Sequence, residues 1–194
     1  MPILPIYNCF HPILKKKTEA ITQYDQELKD LVTNMFETMY FADGVGLAAN
    51  QVGFSKSLFL VDVAQLNDER ASHPPVAMIN PKITSFSEEV KTFEEGCLSI
   101  PSLHEDVIRP QEIEISYFDI DMKEHKVIAN EFFARVIQHE YDHLNGTLFF
   151  EKISPFRRTL AKSKLMRIKK GEIIKNYDMI LPNGALAPGR ADED

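Results

Sequence analysis

The middle of this chain is a series of short runs in which apolar and polar residues alternate, and helical periodicity flanks it on both sides. Residues 57–63 (SLFLVDV) read as a buried strand, 76–80 as a second, and 82–94 as a hairpin. The pattern continues over 107–121 and 125–129, with Ile113, Ile115 and Tyr117 alternating against Glu112, Glu114 and Ser116. Upstream, residues 25–42 place Leu28, Leu31, Val32, Met35 and Met39 at 3.6-residue spacing, the stripe of a core-facing helix rather than a cofactor box. Downstream, Glu131–Leu144 reads as a second helix. Pro155 opens a third that runs to about Lys170 and stops at Gly171. Strands grouped between helices predict an α+β fold. The chain has 194 residues, 44% of them hydrophobic, enough for one domain over 1–175. Residues 67–75 read as a loop, and the Pro-, Gly- and Asp-rich stretch within 176–194 as a loose tail.

The second helix carries Gln138-His139-Glu140-Tyr141-Asp142-His143-Leu144. Residues four apart stack on one helix face, so His139 and His143 can each turn an imidazole nitrogen toward one ion. Glu140 lies about 100° round from His139, within reach of water at such an ion, the arrangement in which a glutamate serves as general base. The other interpretation is a solvated helix face. A catalytic four-coordinate site needs a third protein ligand, and two familiar sources fail. The downstream position that would carry a third histidine after Gly146 is Phe149, and no acidic residue falls between Lys152 and Gly171. Upstream, Cys97 in Glu94-Glu95-Gly96-Cys97-Leu98-Ser99 is the candidate. A thiolate beside two imidazoles leaves one position open for water, although a buried cysteine is also an ordinary small hydrophobe. Cys9, the only other cysteine, has no chemical neighbours in sequence and reads as packing. Gly44-x-Gly46-x-x-Ala49 formally fits a dinucleotide fingerprint, but it follows a helix instead of a strand, which removes the meaning of the match. Its glycines would let a substrate backbone approach closely.

Taken in order, GVGLAANQ, EGCLS and HEYDHL closely resemble the three signature motifs of peptide deformylases, and the similarity runs from about Ile3 to Lys170. Asn50 departs from the proline or threonine of many members, and the stretch beyond about Tyr177 has no counterpart. The resemblance implies hydrolysis of the formyl group from formyl-methionyl nascent peptides, with release of formate, and a fold in which antiparallel sheets surround a central helix that carries His139 and His143. It implies one divalent metal, typically Fe2+ with Ni2+, Co2+ or Zn2+ as substitutes, held by Cys97, His139 and His143. Glu140 would be the general base, and the Gln51 amide and the Leu98 backbone N–H would hydrogen-bond the formyl oxygen. Val45 and Gly46 would pair with the peptide backbone, and Phe132 and Val136 would line the methionine pocket. Glu95 and Arg109 are expected to form a buried ion pair beside Cys97. A metal-dependent peptidase of another kind and a non-enzymatic metal-binding module are the alternatives.

The formal net charge of −7 argues against a sequence-specific nucleic-acid binder, and no apolar run nears the ~20 residues of a membrane span. The first residues are apolar and then basic, the reverse of a secretory signal, so a cytoplasmic location is expected. Charge is unevenly placed. Lys152, Arg157, Arg158, Lys162, Lys164, Arg167, Lys169 and Lys170 form a purely basic block at the third helix. The rest of the chain holds 14 basic against 29 acidic residues. Such a helix suggests contact with a polyanion, and ribosomal RNA is the expected one.

Overall fold

A computed structural model describes residues 2–66, 73–173 and 175–190. Its strands are β1 (Ile6–Tyr7), β2 (Gly46–Ala48), β3 (Leu58–Val61), β4 (Val76–Phe86), β5 (Val90–Cys97), β6 (Ile100–Pro110), β7 (Glu112–Phe118), β8 (Glu124–Asn130), β9 (Met179–Ile180) and β10 (Leu186–Ala187). Its α-helices are α1 (Gln26–Phe41), α2 (Glu131–Leu144) and α3 (Pro155–Lys169). Helices mix with three separate sheets, an α+β arrangement. Five antiparallel strands run in the order β2-β3-β4-β7-β8, β5 and β6 form a hairpin, and β1-β9-β10 make a small third sheet. Residues 67–72 of the expected loop and residues 191–194 lie outside the described part of the chain.

Local chemistry explains the boundaries. The Asp25 side chain caps α1 by accepting from the Leu28 N–H at 3.0 Å, and the expected stripe of Leu28, Leu31, Val32, Met35 and Met39 is buried. Helix α2 ends at Asn145, and Gly146 takes φ +73°, where a Cβ would sit 2.6 Å from the Lys15 carbonyl oxygen. Ser154 caps α3 with Pro155 in its first turn. In α2 the buried set runs from Phe133 to Glu140 and includes His143 and Leu144, so the helix is covered on most sides. Ala134, Val136 and Ile137 pack with Phe59, Val61, Ile113 and Ile115 of the five-stranded sheet.

The structure corrects the sequence reading at three places. Strand β4 runs unbroken across Pro81, where two elements were expected, because register shifts against β7 accommodate the proline. Asn80 there adopts φ 48° and its amide pairs with both backbone groups of Ile21, at 2.8 Å each. The run expected as one element over 107–121 divides at Gln111, since β6 pairs with β5 while β7 enters the large sheet. The tail is not loose over its described length. Strand β9 lies parallel to β1, with Ile6 opposite Met179, and β10 folds back on β9.

One buried cluster ties the β5–β6 hairpin to α2. The Arg109 guanidinium donates through Nε and Nη2 to the two Glu95 oxygens, at 2.6 and 2.9 Å, and through Nη1 to Asp142 at 2.6 Å. Arg135 Nη1 adds a bond to Glu95 at 2.8 Å and one to the Val107 carbonyl at 2.9 Å. The Glu95 and Arg109 side chains are only 3% and 4% exposed. Burial alone would raise the Glu95 pKa, but the bonds from Arg109 and His139 outweigh it and hold the carboxyl well below its ordinary 4.5. A depressed carboxylate stabilises the fold fully above the unfolded value and loses that contribution as pH falls toward the folded one. Arg109→Ala should therefore cost roughly 3–5 kcal/mol, because it strands a buried carboxylate. The acid limb of the variant's stability curve below about pH 4.5 should also be shallower than that of the wild type. Urea unfolding across pH checks both, and an unchanged midpoint would show that the pair carries no structural weight.

Candidate metal centre

The hairpin and the buried helix bring three candidate ligands, one thiol and two imidazoles, to one point. Cys97 ends β5, beyond a register shift at Glu95, and faces Ile100 across a turn at 97–100. His139 and His143 project from α2 with ring centroids 5.0 Å apart. One ligand atom from each of Cys97, His139 and His143 lies within 4.8 Å of the others. The Cys97 Sγ is 3.2 Å from His143 Nε2. His139 Nδ1 bonds to Glu95 Oε2 at 3.0 Å. With Nδ1–H as the donor to Glu95, Nε2 is the ring nitrogen left for a metal, whose binding would displace the proton there.

The electrostatics of the two histidines differ. Burial pulls the His139 pKa down, but hydrogen bonds with Cys97 and Glu95 overcome it and raise the value well above 6.5. Burial and then the charge on His139 depress His143 well below 6.5, so it is neutral. The donor set fits a borderline metal ion, being one sulfur and two imidazoles. Three buried side-chain atoms, Asn50 Oδ1, Glu140 Oε2 and His143 Nδ1, have no hydrogen-bond partner among the described residues. Unpaired buried polar atoms are costly, and their clustering beside the three ligands is consistent with a site built around something further.

Glu140 is 4% exposed, and burial pushes its carboxyl up to about 7, in the range suited to proton exchange at neutral pH. Gly46 makes this placement possible. A Cβ there would stand 2.5 Å from Glu140 Oε1 and 2.8 Å from Val136 Cγ1. Gly44 similarly admits Leu98, whose Cδ1 would be 2.7 Å from an added Cβ. These glycines are therefore required by the protein's own packing, a reason the sequence does not reveal.

Nine of the ten residues singled out from sequence line one cavity of about 410 Å³: Val45, Gly46, Gln51, Cys97, Leu98, Phe132, Val136, His139 and Glu140. The tenth, His143, is 1% exposed and lies against Cys97. Gln51 is held by its Oε1, which accepts from the Ala48 N–H at 2.8 Å. Its Nε2 points at Ser99 Oγ, 3.2 Å away, and at Cys97 Sγ, 3.5 Å away. Asn50, the family departure, donates to the His143 carbonyl at 2.6 Å and so braces the end of α2. Sequence reasoning missed Arg135, Ser99, His104 and Tyr177. Arg135 stands four residues before His139 on the same helix face, a signal that was available. Ser99 and His104 look like ordinary hairpin residues, and Tyr177 sits in a segment with no motif.

The geometry agrees with what comparison with known proteins finds. A polypeptide deformylase family model matches residues 3–159. The chain is 40% identical to a peptide deformylase of Salinibacter ruber, over 97% of this chain and 100% of the relative. It is 43% identical to one of Christiangramia forsetii, over 95% and 99%. It superposes on the crystal structure of a peptide deformylase from Legionella pneumophila with a TM-score of 0.79 and 34% identity, covering 88% of this chain and 98% of that one. For Arabidopsis thaliana peptide deformylase 1B in complex with an inhibitor, the TM-score is 0.80 at 36% identity, with 87% and 92% covered. The chain thus belongs to the peptide deformylase family, metal-dependent hydrolases that remove the N-terminal formyl group from nascent polypeptides.

Proposed function

We propose that Cys97, His139 and His143 hold one divalent ion on a central helix, α2, and that the cavity beside them binds the formyl-methionyl end of a nascent peptide. The observation that carries this reading is the convergence of a thiol and two imidazoles within 4.8 Å, next to a buried carboxyl with one oxygen unpartnered among the described residues. When bound, a divalent cation supplies Lewis acidity that lowers the pKa of water toward neutrality. We take Fe2+ as the working ion and Ni2+, Co2+ or Zn2+ as substitutes, all suited to a mixed sulfur and nitrogen set.

The chain's own groups then have defined tasks. Glu140 accepts the proton of the attacking water and passes it to the departing amine nitrogen. Its burial supports this role, since a carboxyl near 7 both takes and gives a proton at neutral pH. The Gln51 amide and the Leu98 N–H meet the formyl oxygen as negative charge grows on it, and losing one such donor costs about 2.7–4 kcal/mol of barrier lowering. Val45 and Gly46 of the β2 segment pair with the peptide backbone. Phe132 and Val136, on the cavity side of α2 ahead of the histidines, receive the methionine side chain. This reading places the enzyme in the cytoplasm, where nascent chains are made. Among the described residues no helix is long and apolar enough to cross a membrane.

Helix α3 supports a second element of the reading, contact with the ribosome. Its residues Phe156 and Leu160 are 70% and 60% exposed. Some of its charges are engaged by the acidic body, as in Arg157 with Glu105 at 3.2 Å and Arg167 with Glu172 at 3.8 Å. Lys162 is exposed, and under this reading it faces the polyanion.

Two measurements test these assignments. Glu140→Gln should retain its metal, since all three ligands remain, while formate release from a formyl-methionyl peptide falls by about two orders of magnitude or more. Loss of the metal from that variant would make Glu140 structural, and cleavage of internal peptide bonds by the wild type would point to a different hydrolase. Replacing Arg157, Arg158 and Lys162 with glutamate should weaken ribosome co-sedimentation in a salt-dependent way and leave turnover on free peptide unchanged. Equal sedimentation at low salt would reduce the basic block to a solvated surface.

A further inference from the structure

The family match ends at residue 159, yet a residue well beyond it reaches the reaction site. The Tyr177 hydroxyl donates to the Leu98 carbonyl at 2.6 Å, across 79 positions of sequence. Tyr177 is 5% exposed and lines the cavity together with Lys175. Its segment is not a passing strand end. The Ile6 N–H donates to Asp178 O and the Asn8 N–H to Ile180 O, each at 2.9 Å, and Met179 is 1% exposed in the core. The hydroxyl is therefore presented from a fixed frame.

Leu98 sits in the short turn that joins Cys97 to Ile100. The far side of that turn is secured, because Ser99 O accepts from the Cys9 N–H at 3.0 Å and Ser99 Oγ from Gln51. The Leu98 side chain is set against Gly44, as the space there requires. What remains is the orientation of the two peptide groups flanking Leu98. The Leu98 carbonyl belongs to the peptide plane after its Cα and the Leu98 N–H to the plane before it, so holding the oxygen fixes the following plane and with it the frame of the Cα from which the N–H projects. A short O–H···O bond in a buried position is well suited to this, because a carbonyl deprived of its donor would turn to seek another.

We propose that Tyr177 is a positioning residue of the deformylation reaction: by binding the Leu98 carbonyl it keeps the Leu98 N–H aimed at the place of the formyl oxygen. The inference rests on the reading of Leu98 as a donor to that oxygen. The C-terminal segment, beyond the part matched by the family model, thereby becomes a working part of the site.

The test compares wild type, Tyr177→Phe and Thr38→Val, all loaded with nickel. Thr38→Val removes a different long-range bond, from the Leu4 N–H to Thr38 Oγ1 at 2.9 Å, and controls for general loosening. Steady-state kinetics on a formyl-methionyl peptide are read beside the Leu98 amide signal of leucine-¹⁵N-labelled protein, the latter recorded with diamagnetic zinc in place of nickel. Tyr177→Phe should lower kcat about tenfold, a fraction of the ~10²–10³ lost when a donor is removed outright. KM should stay within about twofold, metal content should not change, and the Leu98 amide signal should shift or broaden. Thr38→Val should match the wild type in kcat and in that signal. Should Tyr177→Phe not fold, Tyr177→Met, which keeps apolar bulk without a hydroxyl, should give the same kcat ratio. An unchanged kcat with an unmoved Leu98 signal would overturn the proposal, as would an equal loss in Thr38→Val. If the wild type itself released no formate, the functional reading would fall on its own. The Leu98 signal would still decide whether the tyrosine holds the turn.

Discussion

A single carboxylate, Glu95, sits where the hairpin and the helix of this site meet. It is 3% exposed and takes hydrogen bonds from Arg109, Arg135 and His139. Two of these partners belong to α2 and one to β6, while Glu95 itself precedes Cys97 by two residues. The distance between the thiol and the imidazoles is thereby set through a charged contact that tolerates little displacement. Buried ion pairs seldom add net stability over a well-packed apolar substitute, because desolvation offsets their attraction. Their contribution here is geometric. The same carboxylate fixes the His139 ring and its tautomer, as groups behind metal ligands commonly do. Asp142, paired with Arg109 and 3.1 Å from Lys152, extends the network to the last turn of α2.

Close packing supplies the other half of the arrangement. Strand β2 approaches α2 closely enough that Gly46 leaves no room for a methyl group beside Glu140. Removing water from that carboxyl raises its pKa to about 7, so backbone proximity becomes acid–base capacity. An alanine at position 46 would press on the very oxygen that must exchange a proton. The glycine requirement and the catalytic proposal for Glu140 are thus two aspects of one contact.

The sequence revealed the parts governed by local periodicity and ligand spacing. The α1 stripe, the extent of α2 and the opening of α3 follow from side chains three and four apart and from caps, all short-range signals. The metal candidates were legible because the two histidines lie on one helical turn and Cys97 on a glycine-bearing turn. What escaped depends on distant pairing. No local pattern distinguishes a strand that crosses Pro81 with shifted register from two strands. None says that the chain changes sheets at Gln111. Residues 177–187, broken by Pro182, Asn183 and Gly184, carry no helix or strand period, and their order comes from β1, more than 170 positions earlier. Tyr177 could not be found for the same reason, since its partner is 79 positions away. The Glu95–Arg109 pair came from family resemblance, while Arg135, their third member, was overlooked despite its helical spacing to His139.

The central claim is that one sulfur and two imidazole nitrogens bind the metal. X-ray absorption of the zinc-loaded protein tests it most directly. The first shell should hold one sulfur at about 2.3 Å and nitrogen or oxygen scatterers at about 2.0–2.1 Å, with the outer-shell signature of two imidazoles. Replacing Cys97 with serine should remove the sulfur contribution alone. A wild-type shell of nitrogen and oxygen only, or a sulfur signal that survives in Cys97→Ser, would contradict the site.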